Sequence, residues 1–323
     1  MKRFNQAARS RIKALKKISR KNIFLLFVLL IIGMFVIFQT LYPSAQLSTA
    51  RTLIHSTDAN IRFSVIGDFG LGKQAELDVA ELVKSWSPDF IVTAGDNNYA
   101  HFSMFSTDKN IGKYYHEFIG TYNGIYGTSD GDRFFPAMGN HDWDSTICFF
   151  DSCRGSYLGF FTLPNNERYY DFIWGPVHFL VLDTDPREPD GTSPDSVQGL
   201  WFKNKLAEST SPWKVVVAHH PPYSSGERGS AEYMRWPYKE WGADVILSGH
   251  NHVYERSLVD DFPYIENGLG GKSLHDFETP IPGSEVRYNQ DYGAMLVEAN
   301  ASSINFMFIN RAGEEIDQFT LQH

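Results

Sequence analysis

Hydrophobic runs that break off at a glycine followed by a polar residue recur along this chain. "IRFSVIGD" reads as a buried strand ending at Asp68, and "DFIVTAGD" as a second ending at Asp96. Between them, "QAELDVAELVKSW" has helical spacing, with Leu77, Ala80, Leu82 and Val83 on its apolar side. Strand, helix and strand in close succession make a βαβ unit with a right-handed crossover. "FFPAMGNHD" is another strand running into a loop, and "RYYDFIWGPVHFLVLDTD" is two strands about a tight Trp174-Gly175-Pro176 turn. "VQGLWFKNKLAES" predicts a helix, "WKVVVAHH" a strand, "AEYMRWPYKEWG" a helix broken around Pro237, and "ADVILSGHNH" a strand entering a loop. The last stretch, from Asp291 to Leu321, alternates apolar and polar residues, which predicts antiparallel strands with a turn at "RAGEE". "MFSTDKN", "GTSDGD" and "DPREPDGTSPDS" read as loops. An early βαβ unit followed by antiparallel strands points to a layered α/β sandwich, with no second domain and no repeat.

The first 60 residues have a different pattern. Residues 1–22 carry nine Lys and Arg and no acid, and the uncharged run "IFLLFVLLIIGMFVIF" begins at Ile23. Extended to residue 42, it approaches the roughly 20 residues that cross a bilayer. A basic flank stays on the cytoplasmic side, which puts the body outside. The expected organisation is a cytoplasmic flank (1–22), a transmembrane anchor (23–42), a polar stalk (43–60) and a catalytic domain (61–323). The competing expectation is a cleaved signal peptide, with "PSAQ" offering a cleavage site after Ala45 and a secreted product.

Composition adds one exclusion. The chain has 29 Lys and Arg against 38 Asp and Glu; with nine of the basic residues in the flank, the body holds 20 and stands at −18. A body this acidic does not suit duplex binding, which rests on phosphate neutralisation, so no nucleic acid partner is expected. The two cysteines, Cys148 and Cys153 in "CFFDSC", predict either a disulfide closing a short extracytoplasmic loop or two unpaired thiols.

Five segments share one context, the carboxyl end of a hydrophobic strand, where open α/β sheets place ligands. They are "GDFG" with Asp68, "GDNNY" with Asp96 and Tyr99, "GNHD" with Asn140 and His141, "VVAHHP" with His219 and His220, and "GHNH" with His250 and His252. Each alone is an ordinary turn, but together they supply carboxylates, an amide, imidazoles and a phenol. Tyr99 is the unusual member. A phenol loses its proton at about pH 10, so only a strong Lewis acid such as a ferric ion recruits it as a ligand. Packing as an ordinary core aromatic is the other reading of Tyr99.

The order and content of these segments resemble the calcineurin-like metallophosphoesterases, and Tyr99 makes them similar to the five-motif signature of purple acid phosphatases. The resemblance runs from about Ile61 to Phe319 and implies an α/β/β/α sandwich with mixed sheets. It implies two metal ions: ferric iron held by Asp68, Asp96, Tyr99 and His252, and a divalent iron, zinc or manganese held by Asp96, Asn140, His219 and His250. His219 fits the register better than His220, which becomes a substrate-side neighbour along with Tyr223. The resemblance further implies that water acidified by the cations would attack phosphorus in line, and that His141 would protonate the departing alkoxide or steady the transition state. Asp142 either orients His141 or caps a turn. The implied activity is a phosphomonoesterase acting on phosphate esters. A phosphodiesterase or nucleotide hydrolase on the same site is the alternative, and a non-hydrolytic metal-binding protein the remoter one.

Overall fold

A computed structural model describes residues 59–99, 104–129, 131–144, 146–149 and 152–323. The basic flank, the apolar segment 23–42 and the stalk up to residue 58 lie outside the described residues. No helix among the described residues is long and apolar enough to cross a membrane.

The elements in chain order are β1 (Ile61–Ile66), α1 (Gln74–Ser85), β2 (Phe90–Thr93), β3 (Phe134–Pro136), β4 (Thr146–Phe149), β5 (Ser152–Gly155), β6 (Tyr170–Trp174), β7 (Val177–Val181), α2 (Val197–Glu208) and β8 (Trp213–Val217). Then come β9 (Val245–Ser248), β10 (Tyr254–Val259), β11 (Phe262–Asn267), β12 (Ser284–Tyr288), β13 (Gly293–Ala299), β14 (Ser303–Asn310) and β15 (Glu315–Gln322). One sheet has the order β15-β14-β13-β1-β2-β3, the other β12-β10-β11-β9-β8-β7-β6, and β4-β5 is a separate hairpin. Both large sheets are mixed: β1, β2 and β3 run parallel, as do β7, β8, β9 and β11, and the remaining pairings are antiparallel.

Side chains alternate across a strand, and this sorts the core into layers. Val181, Val215, Val217, Val245 and Leu247 point to the space between the sheets. There Phe63 meets Phe179 edge-on at 5.1 Å and Phe90 meets Trp174 at 4.7 Å. The intervening Leu180, Val216 and Ile246 face outward, where Phe202 and Leu206 of α2 cover them. On the other sheet α1 packs against β13. The layered mixed-sheet α/β architecture read from the sequence is therefore present.

Several local expectations change. "MFSTDKN" is helical, from Met104 through a π turn at Asp108–Gly112. The buried Asp108 carboxylate ties it down by accepting from the Tyr122 hydroxyl at 2.5 Å and from the Ile125 amide at 3.1 Å. "AEYMRWPYKEWG" keeps only a 3₁₀ turn at Glu232–Met234, because Trp236 and Tyr238 are drawn into the outer cluster. The β10–β11 hairpin escaped the pattern reading. Its turn residues Asp260 and Asp261 have φ values of 52° and 55°, the positive region that a two-residue type I′ turn requires. In the β4–β5 hairpin the backbone register sets Cys148 opposite Cys153, while their side chains lie outside the described residues.

Helix α1 buries Val79, Ala80, Val83 and, unexpectedly, Glu76, whereas Leu77 and Leu82 stay partly exposed. One Glu76 oxygen accepts the amides of Leu71 (3.0 Å) and Gly72 (2.6 Å); the other has no hydrogen-bond partner. Burial pushes its pKa up to about 8. The folded state thus keeps a proton that the unfolded state gives up near pH 4.5, so stability falls as pH rises between those values. Glu76→Gln retains the acceptor without the charge. Urea unfolding at pH 5 and pH 8 should show the variant losing roughly 3–5 kcal/mol less than wild type across that interval. Identical pH dependence in the two proteins would refute this role.

Candidate metal centre

The five polar segments converge because each lies beyond a parallel strand whose carboxyl end opens on the same edge. Asp68 lies two residues beyond β1, Asp96 three beyond β2, Asn140 four beyond β3, and His219 and His250 two beyond β8 and β9. Asp68, Asp96 and His250 adopt φ values of 56°, 51° and 76°, an uncommon region for non-glycine residues that clusters at functional sites. Backbone donors lock them together: the His250 amide donates to Asp68 Oδ2 (2.9 Å) and the His141 amide to Asp96 Oδ1 (2.8 Å). The neighbouring glycines permit this approach. A Cβ on Gly139 would stand 2.3 Å from the Asp96 amide, and one on Gly249 would stand 2.4 Å from Asp68 Oδ2.

Ligating atoms of Asp68, Asp96 and His219 lie within 4.8 Å of one another. Tyr99 does not pack as a core aromatic. Its hydroxyl is 3.1 Å from Asp68 Oδ1 and 3.2 Å from His252 Nε2. Asn140 Oδ1 is 3.1 Å from His219 Nε2 and 3.0 Å from His250 Nδ1. His219 donates Nδ1–H to the Ala94 carbonyl at 2.8 Å, and His252 donates Nδ1–H to the Ser273 carbonyl at 2.5 Å. These outer bonds turn each Nε2 inward, the arrangement that orients metal-binding imidazoles. His220 lies within reach of His219 and His250, but its Nδ1 is engaged by Thr184 Oγ1 at 2.8 Å.

The electrostatics favour a cation. Burial works against charge on His219, yet Asp96 and Asp68 raise its pKa to about 10. Burial and the neighbouring His219 lower His220 to about 3 and His250 to about 2, which keeps their rings neutral. Burial also raises Asp96, but His219 and His141 outweigh it and hold the carboxyl below its usual range. Burial, with Asp68 and Asp96 beside it, raises the Tyr99 phenol well above its usual value. Among the described residues no lysine or arginine side chain pairs with Asp68 or Asp96. Two buried carboxylates, an amide oxygen, imidazoles and a phenol therefore fit a pair of cations, one hard and one borderline.

One open reading narrows and one expected role changes. Asp142 takes the capping option: its carboxylate accepts the amides of Gly139 (2.9 Å) and Asn97 (3.2 Å) and the Asn97 side chain (2.8 Å). The carboxylate beside His141 is Asp144, with Oδ2 3.2 Å from His141 Nδ1. Tyr223 is drawn into the outer cluster, where it packs on Tyr264 at 4.7 Å beneath the Arg235 guanidinium. Tyr233 is the aromatic near His220, with a ring separation of 6.4 Å and its hydroxyl donating to the Thr184 carbonyl. Three neighbours went unread in the sequence. His275 stacks on His252 at 3.7 Å and accepts its amide at 3.0 Å, Lys272 sits 4.4 Å from the Tyr99 ring centre, and Arg187 reaches the Asn140 carbonyl at 2.8 Å. None lies in a strand-end motif, so no local signal marked them.

Comparison with known proteins agrees with this geometry. Residues 61–254 match the profile described as calcineurin-like phosphoesterase. Purple acid phosphatase 15 of Arabidopsis thaliana is 27% identical over 239 residues, covering 61% of this chain and 41% of its own length. The chain thus spans less than half of that relative. Purple acid phosphatase 17 of the same plant is 24% identical over 300 residues, covering 80% of this chain and 83% of its own. Among solved structures, the purple acid phosphatase PPD1 from yellow lupin (Lupinus luteus) seeds superposes with a TM-score of 0.62 at 20% identity, covering 83% of this chain and 55% of that one. GAP50, described as the anchor in the inner membrane complex of Plasmodium, superposes with a TM-score of 0.63 at 20% identity, covering 81% of this chain and 89% of that one. At these identities the superpositions show the fold alone. The match over residues 61–254, on a mixed-sheet sandwich whose strand ends gather these donors, shows that the chain belongs to the calcineurin-like phosphoesterase family.

Proposed function

We propose that this protein is a dinuclear acid phosphatase that hydrolyses phosphomonoesters, anchored in a membrane with its catalytic body outside the cytoplasm. The observation that carries the chemistry is the convergence of Asp68, Asp96, Tyr99, His219, His250 and His252 at the carboxyl ends of parallel strands, in a chain whose relatives are named purple acid phosphatases. In this reading Asp68, Asp96, Tyr99 and His252 hold ferric iron. Asp96, Asn140, His219 and His250 hold divalent iron, zinc or manganese. When bound, such a pair supplies positive charge to phosphate oxygens and acidifies water. The chain's own residues do the rest. The bonds from His219 to Ala94 and from His252 to Ser273 fix the rings. His141, adjacent to Asn140, presents Nε2 on the Asp96 side of the site, 4.0 Å from Oδ2, and gives a proton to the departing oxygen.

Purified protein should hydrolyse a chromogenic phosphomonoester faster than the matching diester and lose that activity on chelation. Faster diester hydrolysis would reassign the substrate class. Metal binding without turnover of either would make the chain a binding protein.

The anchor rests on residues 23–42 and the basic flank before them. Protease added to intact cells should release the body. A protected body with a digested N-terminus would reverse the orientation.

A further inference from the structure

The loop that carries His141 is braced from the second sheet. His141 Nδ1 is buried and has no hydrogen-bond partner in the present geometry. A buried ring nitrogen left in that state is costly, and buried polar groups are paired in nearly all native structures. The acceptor within reach is Asp144 Oδ2, 3.2 Å away but off the angle of a hydrogen bond. The other oxygen of Asp144 accepts from Arg187 Nη1 at 3.1 Å.

Arg187 is held in turn. Its Nε and Nη2 donate to the two oxygens of Asp185 at 2.7 and 2.8 Å, and Nη2 also donates to the Asn140 carbonyl at 2.8 Å. Asp185 is itself buried, and its amide donates to Asp183 at 3.0 Å. The same Asp183 accepts the indole N–H of Trp143 at 2.7 Å. The segment after β7 therefore grips the segment after β3 from both sides of His141. A planar guanidinium can serve three acceptors at once, where an ammonium on a flexible stem cannot keep the same geometry.

We infer that Asp144 and Arg187 are positioning residues that hold the His141 ring by setting Asp144 Oδ2 against Nδ1, with Nε2 turned toward the leaving group. This rests on His141 acting on the departing oxygen, as proposed above. Arg187 meets Asn140 through the backbone carbonyl and leaves the side-chain amide to the metal. Both positioning residues are partly exposed, with side chains 31% and 46% accessible, so substitution leaves the core intact.

The test uses the full chain carrying Asp144→Asn, Arg187→Lys, or both, with metal content measured in each. Turnover of an alkyl phosphate, whose leaving group needs a proton, should fall about 10–100-fold in each single variant. Turnover of 4-nitrophenyl phosphate, whose leaving group does not, should fall much less, with KM and metal content unchanged. The double variant should lose no more than the worse single, because both act through one contact. Amide hydrogen exchange across residues 140–144 should rise in each variant, a readout independent of turnover. Equal losses on the two esters, additive losses, or unchanged exchange would overturn the brace while leaving the phosphatase reading intact. A metal-loaded wild type that hydrolyses neither ester would overturn both.

Discussion

His141→Ala should cut turnover of a phosphomonoester with a poor leaving group by roughly 10²–10⁴, the usual worth of a positioned general acid. The loss should leave the metals in place. His141 contributes its backbone amide to Asp96 Oδ1 at 2.8 Å, and alanine keeps that amide. The side chain is 35% exposed and its ring lies 4.5 Å from that of Tyr99, so removing it opens the mouth of the site and not the core. An activated leaving group departs without a proton and should lose less. The measurement is kcat for an alkyl and an aryl phosphate in wild type and variant, each at measured metal content. Equal loss on both esters would leave His141 only an electrostatic or positional role. Loss of metal would make it structural.

Tyr99→Phe should abolish the visible absorption of the oxidised, iron-loaded protein while leaving the fold intact. The substitution removes one oxygen and keeps the ring beside His141 and beneath Lys272. Without cations, burial and the two aspartates hold the phenol protonated far above its usual range. A ferric ion bound there would invert that field, and the phenolate it stabilised would absorb visible light by charge transfer to iron. The apoprotein should accordingly be colourless and gain its band on iron uptake. Part of the activity should survive in the variant, since Asp68, Asp96 and His252 remain. Spectra of both proteins at equal iron content decide the matter. A colourless wild type with a full ferric site would remove Tyr99 from the ligand set, as would a Phe variant that keeps its colour.

Much of this protein could be read in one dimension. Buried parallel strands announce themselves as short unbroken apolar runs, and "IRFSVI", "FIVT", "KVVV" and "VILS" all form strands. The turn after each run is local as well. A polar residue at a strand end, after a glycine in four cases and after Ala218 at His219, delivers one donor to the sheet edge, so Asp68, Asp96, Asn140, His219 and His250 could be singled out without knowing which strands were neighbours. The C-terminal hairpins were equally visible, because alternation at period two needs no partner to be recognised.

Other features depend on what lies across from a residue, and sequence spacing does not carry that information. Asp142 and Asp144 are both carboxylates near His141 in "HDWD". Only the helical turn at Asn140–Trp143, which aims Asp142 back at Gly139 and Asn97, separates a cap from a partner. His219 and His220 are adjacent in sequence, yet one finds the Ala94 carbonyl and the other Thr184. Glu76 occupies a helix position that the apolar pattern left unassigned, and the amides of Leu71 and Gly72 draw it inward. Arg187, Lys272 and His275 reach the site from loops with no motif of their own, since their contacts form only once the two sheets have packed. The sequence alone therefore determined the strands, their order of chemistry and the donor types, because these are short-range properties of the chain. Only the tertiary structure decided which neighbour each side chain faces, because burial and hydrogen bonding are settled between segments far apart in the sequence.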